Sequence, residues 1–403
     1  MSAFVLKSSS GELRHNLVLC VLIAWLSGGL GAVLPNLMPF WKARGITDPQ
    51  IWLLQGLFAL TVFACTIPFG YLADRAGRKW CMLYGVVMHL LGEVAYVVGD
   101  SFLVLLAGEV FMGFGVALIS GADSALLYDT LLARGEKDRA PRWSGLAAAG
   151  MFLCTAVANL IGGALGQVDD RLPFAFSASC VAVQLLLVLF VSEPPSSGKD
   201  KLVTVRQLPE VVGFCFKPGS YQLWLIVAWS VTAVATWMAV WFYPLCFGQV
   251  GLSLSQQSIV FAGYNLVAAA GSFWARRRKS GQSVPAAFLA FVVMAAVAHL
   301  VLGSVVAVWA VLFGALHQIV RGAAPVIFGA ALNDQTPSSI RATVSSVQGA
   351  LATLLYGGIN LRLGSCVETF GFRAVLIAIG VGCLVAALSI WALHPTKRQQ
   401  PAR

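Results

Sequence analysis

Apolar residues run along this chain in long stretches divided by short polar breaks. The stretches fall near residues 16–40, 51–72, 80–98, 102–130, 143–166, 172–192, 221–246, 256–275, 284–303, 305–332, 342–361 and 372–392. A helix needs about 20 apolar residues to cross roughly 30 Å of hydrocarbon, and each stretch is close to that length. The pattern predicts an all-α integral membrane protein of twelve transmembrane helices.

The longest polar break, 193–220, contains Glu193, Pro194, Pro195, Lys199, Asp200 and Lys201 and divides the spans six and six. Two pseudo-symmetric six-helix bundles follow, 1–192 and 220–403, joined by a linker over 193–219. Composition agrees with lipid as the main solvent. Of 403 residues, 58% are hydrophobic and 11% charged, against about 45–50% and 25% in soluble domains. The first apolar stretch is too long for a signal-peptide core, so it reads as a span.

The formal charge of +10 would suggest nucleic acid only if basic residues were clustered on a folded face. Here they sit in short runs between spans. With the N-terminus inside, 21 Lys and Arg fall on one side and 5 on the other, while Arg321 lies within a span. Positive residues are retained on the cytoplasmic side, so both termini and the linker are expected there, in a multi-pass protein of the cell (inner or plasma) membrane. The nine cysteines lie mostly in apolar segments without metal-ligand spacing and read as small core residues. No HExxH or GxxxxGK[ST] pattern is present, so neither an intramembrane metalloenzyme nor an ATP-driven pump is indicated.

Between spans two and three stands Gly70-Tyr71-Leu72-Ala73-Asp74-Arg75-Ala76-Gly77-Arg78-Lys79. Gly70 permits close helix approach and Gly77 a tight turn. Asp74 needs a cationic or helix-terminal partner, and Arg78 offers a fork of donors to a carboxylate. This segment resembles the signature loop of the major facilitator superfamily at every fixed position. The resemblance implies a twelve-span transporter without a cofactor. It also implies a conformational latch, in which Asp74, Arg75, Arg78 and Lys79 belong to the loop and Asp129, at the end of span four, is the acid facing Arg78 in the outward-open state. A degenerate copy, Gly271-Ser272-Phe273-Trp274-Ala275-Arg276-Arg277-Arg278-Lys279, follows span eight without the aspartate. The stretch from Asn333 to Val344 is similar to the superfamily's loop into span eleven.

Two departures separate this chain from the superfamily's proton-driven drug exporters. Span four has Glu109 where those exporters have an arginine, and span five has Ala158-Asn159-Leu160-Ile161-Gly162-Gly163, closing glycines without the proline. Ionisable groups inside a bilayer are costly and are functional candidates by default. Glu109 and Asp123 on span four are candidates for proton coupling. Arg321 and His317 share a face of span ten, and Pro325 is expected to kink that helix or free a carbonyl. His89, Glu93 and His299 lie on spans that are peripheral in the superfamily. Further candidates for a substrate cavity are Asn36, Gln55, Asn159, Trp237, Tyr264, Asn265, Gln348 and Tyr356. The expected partners are a small organic solute, the lipid bilayer and protons, with the protein a monomer. Facilitated diffusion, ion-coupled import and a non-transporting receptor are the competing readings.

Overall fold

A computed structural model of the chain describes residues 10–194, 208–277, 283–337 and 340–395. Fourteen α-helices run in order: α1 Ser10–Leu26, α2 Leu37–Ala43, α3 Asp48–Ala76, α4 Arg78–Val98, α5 Phe102–Ala133, α6 Ala140–Val168, α7 Leu172–Phe190, α8 Leu208–Cys215, α9 Tyr221–Gln249, α10 Leu254–Arg276, α11 Val284–Ser304, α12 Gly314–Asp334, α13 Arg341–Phe370 and α14 Phe372–Ala392. No strand occurs among the described residues. Among the described residues, twelve segments are long and apolar enough to cross a membrane. The short helices α2 and α8 are not among them.

Helix ends follow local chemistry. Ser220 accepts a hydrogen bond from the Leu223 amide at 3.1 Å and starts α9, while Ser101 and Ser283 cap α5 and α11 in the same way. Proline opens α6, α7 and α11, where its missing N–H costs nothing. Pro68, Pro244 and Pro325 sit inside α3, α9 and α12. The helical assignment of α12 continues through Pro325 without a break.

The expected first span is not one helix. α1 ends at Leu26, a 3-10 segment covers Ser27–Ala32, and α2 begins only at Leu37. The glycine-rich run Ser27-Gly28-Gly29-Leu30-Gly31 is a poor helix former, and it lies directly against α6. The Asn36 amide donates to the carbonyls of Ala32 at 2.8 Å and Gly162 at 3.1 Å. A side chain at Gly162 would collide with the Ala32 backbone, so this seam requires glycine.

Contacts group the chain into two compact units. The first takes residues up to Gly45, Thr61–Leu202 and Leu254–Ala262, and the second takes Ile46–Leu60, Val203–Ser253 and Gly263 onward. The first half of α3 therefore packs with the second unit and the start of α10 with the first. The Trp52 ring of α3, for instance, packs tilted against Phe242 of α9, with centroids 4.9 Å apart. The first unit's core gathers Leu17, Met82, Leu126, Leu131 and Val188. The second gathers Trp224, Phe288, Phe328, Val344 and, from α8, Val211 and Cys215.

Candidate functional site

The basic turn is built from three directions. Gly77 adopts φ +105° between α3 and α4, a region that favours glycine. A Cβ there would stand 3.1 Å from the Glu193 carboxylate. That carboxylate caps α4 from the end of the first half: the Arg78 amide donates to Glu193 Oε1 and the Lys79 amide to Oε2, both at 2.8 Å. Lys79 Nζ donates to the Leu189 carbonyl at 2.9 Å. With its backbone held, Arg78 extends Nη1 to Asp129 Oδ2 at 2.5 Å. Charge-assisted pairs of this kind are among the stronger polar contacts. The side chains of Asp74 and Arg75 lie outside the described residues. No described atom lies within 4 Å of where a Cβ on Gly70 would stand.

The other first-unit candidates divide. Glu109 is buried and faces α4, where Tyr96 Oη donates to its Oε1 at 2.5 Å and Trp41 Nε1 donates to Tyr96 Oη at 3.3 Å. Asp123 is exposed, and the Ser124 amide donates to its Oδ1 at 2.5 Å. Asn36 belongs to the α1–α6 seam. Asn159 is buried, donates to the Thr155 carbonyl at 2.8 Å and has no described partner for its Oδ1.

In the second unit, Arg321 Nη2 donates to Asn265 Oδ1 at 2.6 Å, joining α12 to α10. Between Glu210 and Asp334 the chain has no acidic residue, so α9, α10 and α11 carry no carboxylate and α12 carries one at its last residue, Asp334. His317, expected on the same face, is fully buried and turns to α11 and α9. Its Nε2 lies 2.8 Å from His299 Nδ1, and its Nδ1 lies 3.0 Å from Tyr243 Oη. The Ala295 carbonyl lies 2.8 Å from His299 Nδ1 and 3.1 Å from His317 Nε2 and accepts from whichever of the two nitrogens carries hydrogen. Gln318 Nε2 donates to Tyr243 Oη at 3.1 Å. Tyr264 is committed to the Val311 carbonyl at 2.5 Å. Tyr356 accepts from Trp241 Nε1 at 2.5 Å and packs edge-on to Trp237, with centroids 5.9 Å apart. Gln348 is buried with no described partner for its Nε2, and Gln55 is buried in the same unit.

An ion network on the side poor in Lys and Arg was not anticipated. Arg44 meets Asp100 at 3.2 Å and Asp170 at 2.6 Å, and Arg171 meets Asp100 at 2.5 Å. The Arg171 hydrogen bond, reinforced by Arg44, holds the Asp100 carboxyl below its usual range. On the basic side, Arg134 does the same to Glu136. The signal was present as unmatched charges in three separate loops, but which loops meet is a tertiary fact.

Comparisons place these features in a family. The Major Facilitator Superfamily pattern matches residues 17–359. The quinolone resistance protein NorA of Staphylococcus aureus (strain MRSA252) is 26% identical over 178 residues, covering 43% of this chain and 45% of NorA. An uncharacterized transporter of Buchnera aphidicola is 31% identical over 198 residues, 49% of each chain. The chain thus spans about half the length of the curated relatives it matches. Among solved structures, the nucleoside transporter NupG superposes with a TM-score of 0.79 at 12% identity, covering 94% of this chain and 99% of NupG. A D-xylose-proton symporter superposes at 0.72 and 13% identity, covering 95% and 98%. A pattern matching most of the chain, twelve membrane-spanning segments and the Gly70–Lys79 loop lead to one assignment: this protein belongs to the Major Facilitator Superfamily and is a multi-pass membrane protein.

Proposed function

We propose that the protein exports a small organic solute in exchange for protons, by alternating access of its two halves. The observation that carries the reading is the hydrogen-bonded Arg321–Asn265 pair in the spans of the second unit. A guanidinium there is retained at a cost of a few kcal/mol, which suits a group that meets solute. The export direction draws on the partial likeness to NorA, and proton exchange draws on exposed Asp123 in span four. Burial raises a carboxyl pKa and a nearby cation lowers it, so a carboxylate whose surroundings alternate takes up and releases a proton each cycle. Arg78, Asp129 and the rest of the Gly70–Lys79 loop serve as the latch that stabilises one conformation. The two halves are residues 1–192 and 220–403, the termini are cytoplasmic in the cell (inner or plasma) membrane, and the protein works as a monomeric transporter and not as an enzyme.

Facilitated diffusion is the second reading, and it draws on Glu109. That carboxylate is buried against Tyr96, which favours Asp123 alone of the two proton-coupling candidates.

Uptake into proteoliposomes tests the substrate site. A panel containing a quinolone, a nucleoside and a pentose should show saturable transport of the quinolone, and Arg321→Gln should raise its KM about tenfold or more. Transport of the quinolone with an unchanged KM in Arg321→Gln would remove Arg321 from the site.

A further inference from the structure

The two basic turns of this protein treat their arginines differently. Around Arg78 the chain supplies its own anions, Asp129 for the side chain and Glu193 for the backbone. The related turn after α10 has no such acid. It carries Phe273, Trp274, Arg276 and Arg277, all exposed, and no ion pair to Arg276 or Arg277 occurs among the described residues. The nearest acids along the chain are Glu210 and Asp334.

Arg277 lies with its guanidinium carbon 4.2 Å from the Phe273 ring centroid. A guanidinium stacked by its face keeps its N–H donors in the plane of the group, directed outward and available to a planar or tetrahedral oxyanion. Trp274 stands beside them at the end of a span, the level where indole rings favour the membrane–water boundary. Positive-inside topology alone accounts for basic residues near this end of a span. It does not account for two exposed aromatic rings directly followed by two arginines with no carboxylate partner among the described residues.

We infer that the end of α10 docks an anionic phospholipid of the adjacent leaflet, its phosphate on Arg276 and Arg277 and its upper acyl chain and glycerol against Phe273 and Trp274. The lipid phosphate supplies the negative charge that Asp129 and Glu193 supply in the first half. One half of the transporter is thereby pinned by its own carboxylates and the other by the membrane, so the composition of the bilayer acts on the second half alone.

Native mass spectrometry of the full chain, released from nanodiscs of mixed phosphatidylglycerol and phosphatidylcholine, tests the inference. The wild type should retain phosphatidylglycerol in preference. A Lys or Arg near a charged membrane surface contributes about a fivefold preference, so R276Q/R277Q should lose about 25-fold. R276K/R277K, which keeps the charge that fixes topology, should retain most of the preference and shows whether the turn is folded. R139Q/R142Q, which removes two exposed arginines elsewhere on the basic side, should lose clearly less, because Arg139 is already paired with Glu136. Equal loss in R139Q/R142Q, or an unchanged preference in R276Q/R277Q, overturns the site. Displacement of the lipid by millimolar glycerol phosphate would also overturn it, because a phosphate site without acyl-chain contact is not a lipid site.

Discussion

The guanidinium of Arg78 meets the Asp129 carboxylate at 2.5 Å, while the backbone amide of the same residue donates to Glu193 at 2.8 Å. Two carboxylates, one on α5 and one just beyond α7, thus fix a single residue at the start of α4. The pair is partly screened from water, which makes it worth more than an open surface ion pair.

If that pair stabilises one conformation of the transport cycle, Arg78→Gln and Asp129→Asn should each lower turnover about tenfold. Solute affinity should be nearly unchanged. The exchanged variant Arg78→Asp with Asp129→Arg should recover part of the loss. Proteoliposome turnover beside equilibrium binding separates the two effects, and lost binding at normal conformational exchange would contradict the latch. Asp74→Asn should behave like the two single variants.

Glu193 is a trans-acting helix cap. Losing an N-cap typically costs about 1 kcal/mol, and the acid also favours the positive end of α4. Glu193→Ala should lower the thermal unfolding midpoint of the detergent-solubilised protein by a few degrees. Glu193→Gln, which retains an acceptor oxygen but not the charge, should lose about half as much. A midpoint unmoved in Glu193→Ala would show that the cap contributes nothing to stability.

The Arg44–Asp100–Asp170–Arg171 network should make stability depend on acid. A carboxyl held low in the fold contributes stability above its ordinary pKa of about 3.9 and loses it as pH falls through the lower folded value. Thermal midpoints should therefore drop on acidification below about pH 4, and less so in Asp100→Asn. Asp100 is exposed, so 1 M salt should weaken the effect as well. Identical pH profiles for wild type and Asp100→Asn would dismiss the network as a source of stability.

The sequence made the spans legible because the length of an apolar run is a local quantity that lipid reads directly. The Arg78–Asp129 pairing was legible through family resemblance, with Asp129 at the right end of span four. Glu193 was not, for it is 115 residues from Arg78 and reads as an ordinary linker acid. The His299–His317 contact hid for a different reason. Each histidine alone looks like a lone polar group in a span, and only the packing of α11 on α12 brings them to 2.8 Å. Span one was misjudged as continuous because hydropathy sees Gly28, Gly29 and Gly31 as apolar, whereas backbone conformation sees three residues with little preference for a helix.

Proton exchange is the claim on which the proposed function most depends, and Asp123 is its most direct test. Quinolone movement is measured in proteoliposomes with an imposed pH gradient and again without one, for wild type and for Asp123→Asn. The account predicts gradient-driven accumulation by the wild type, and in Asp123→Asn loss of that accumulation with downhill exchange preserved. Full gradient-driven accumulation in Asp123→Asn, or wild-type transport indifferent to the gradient, would contradict it.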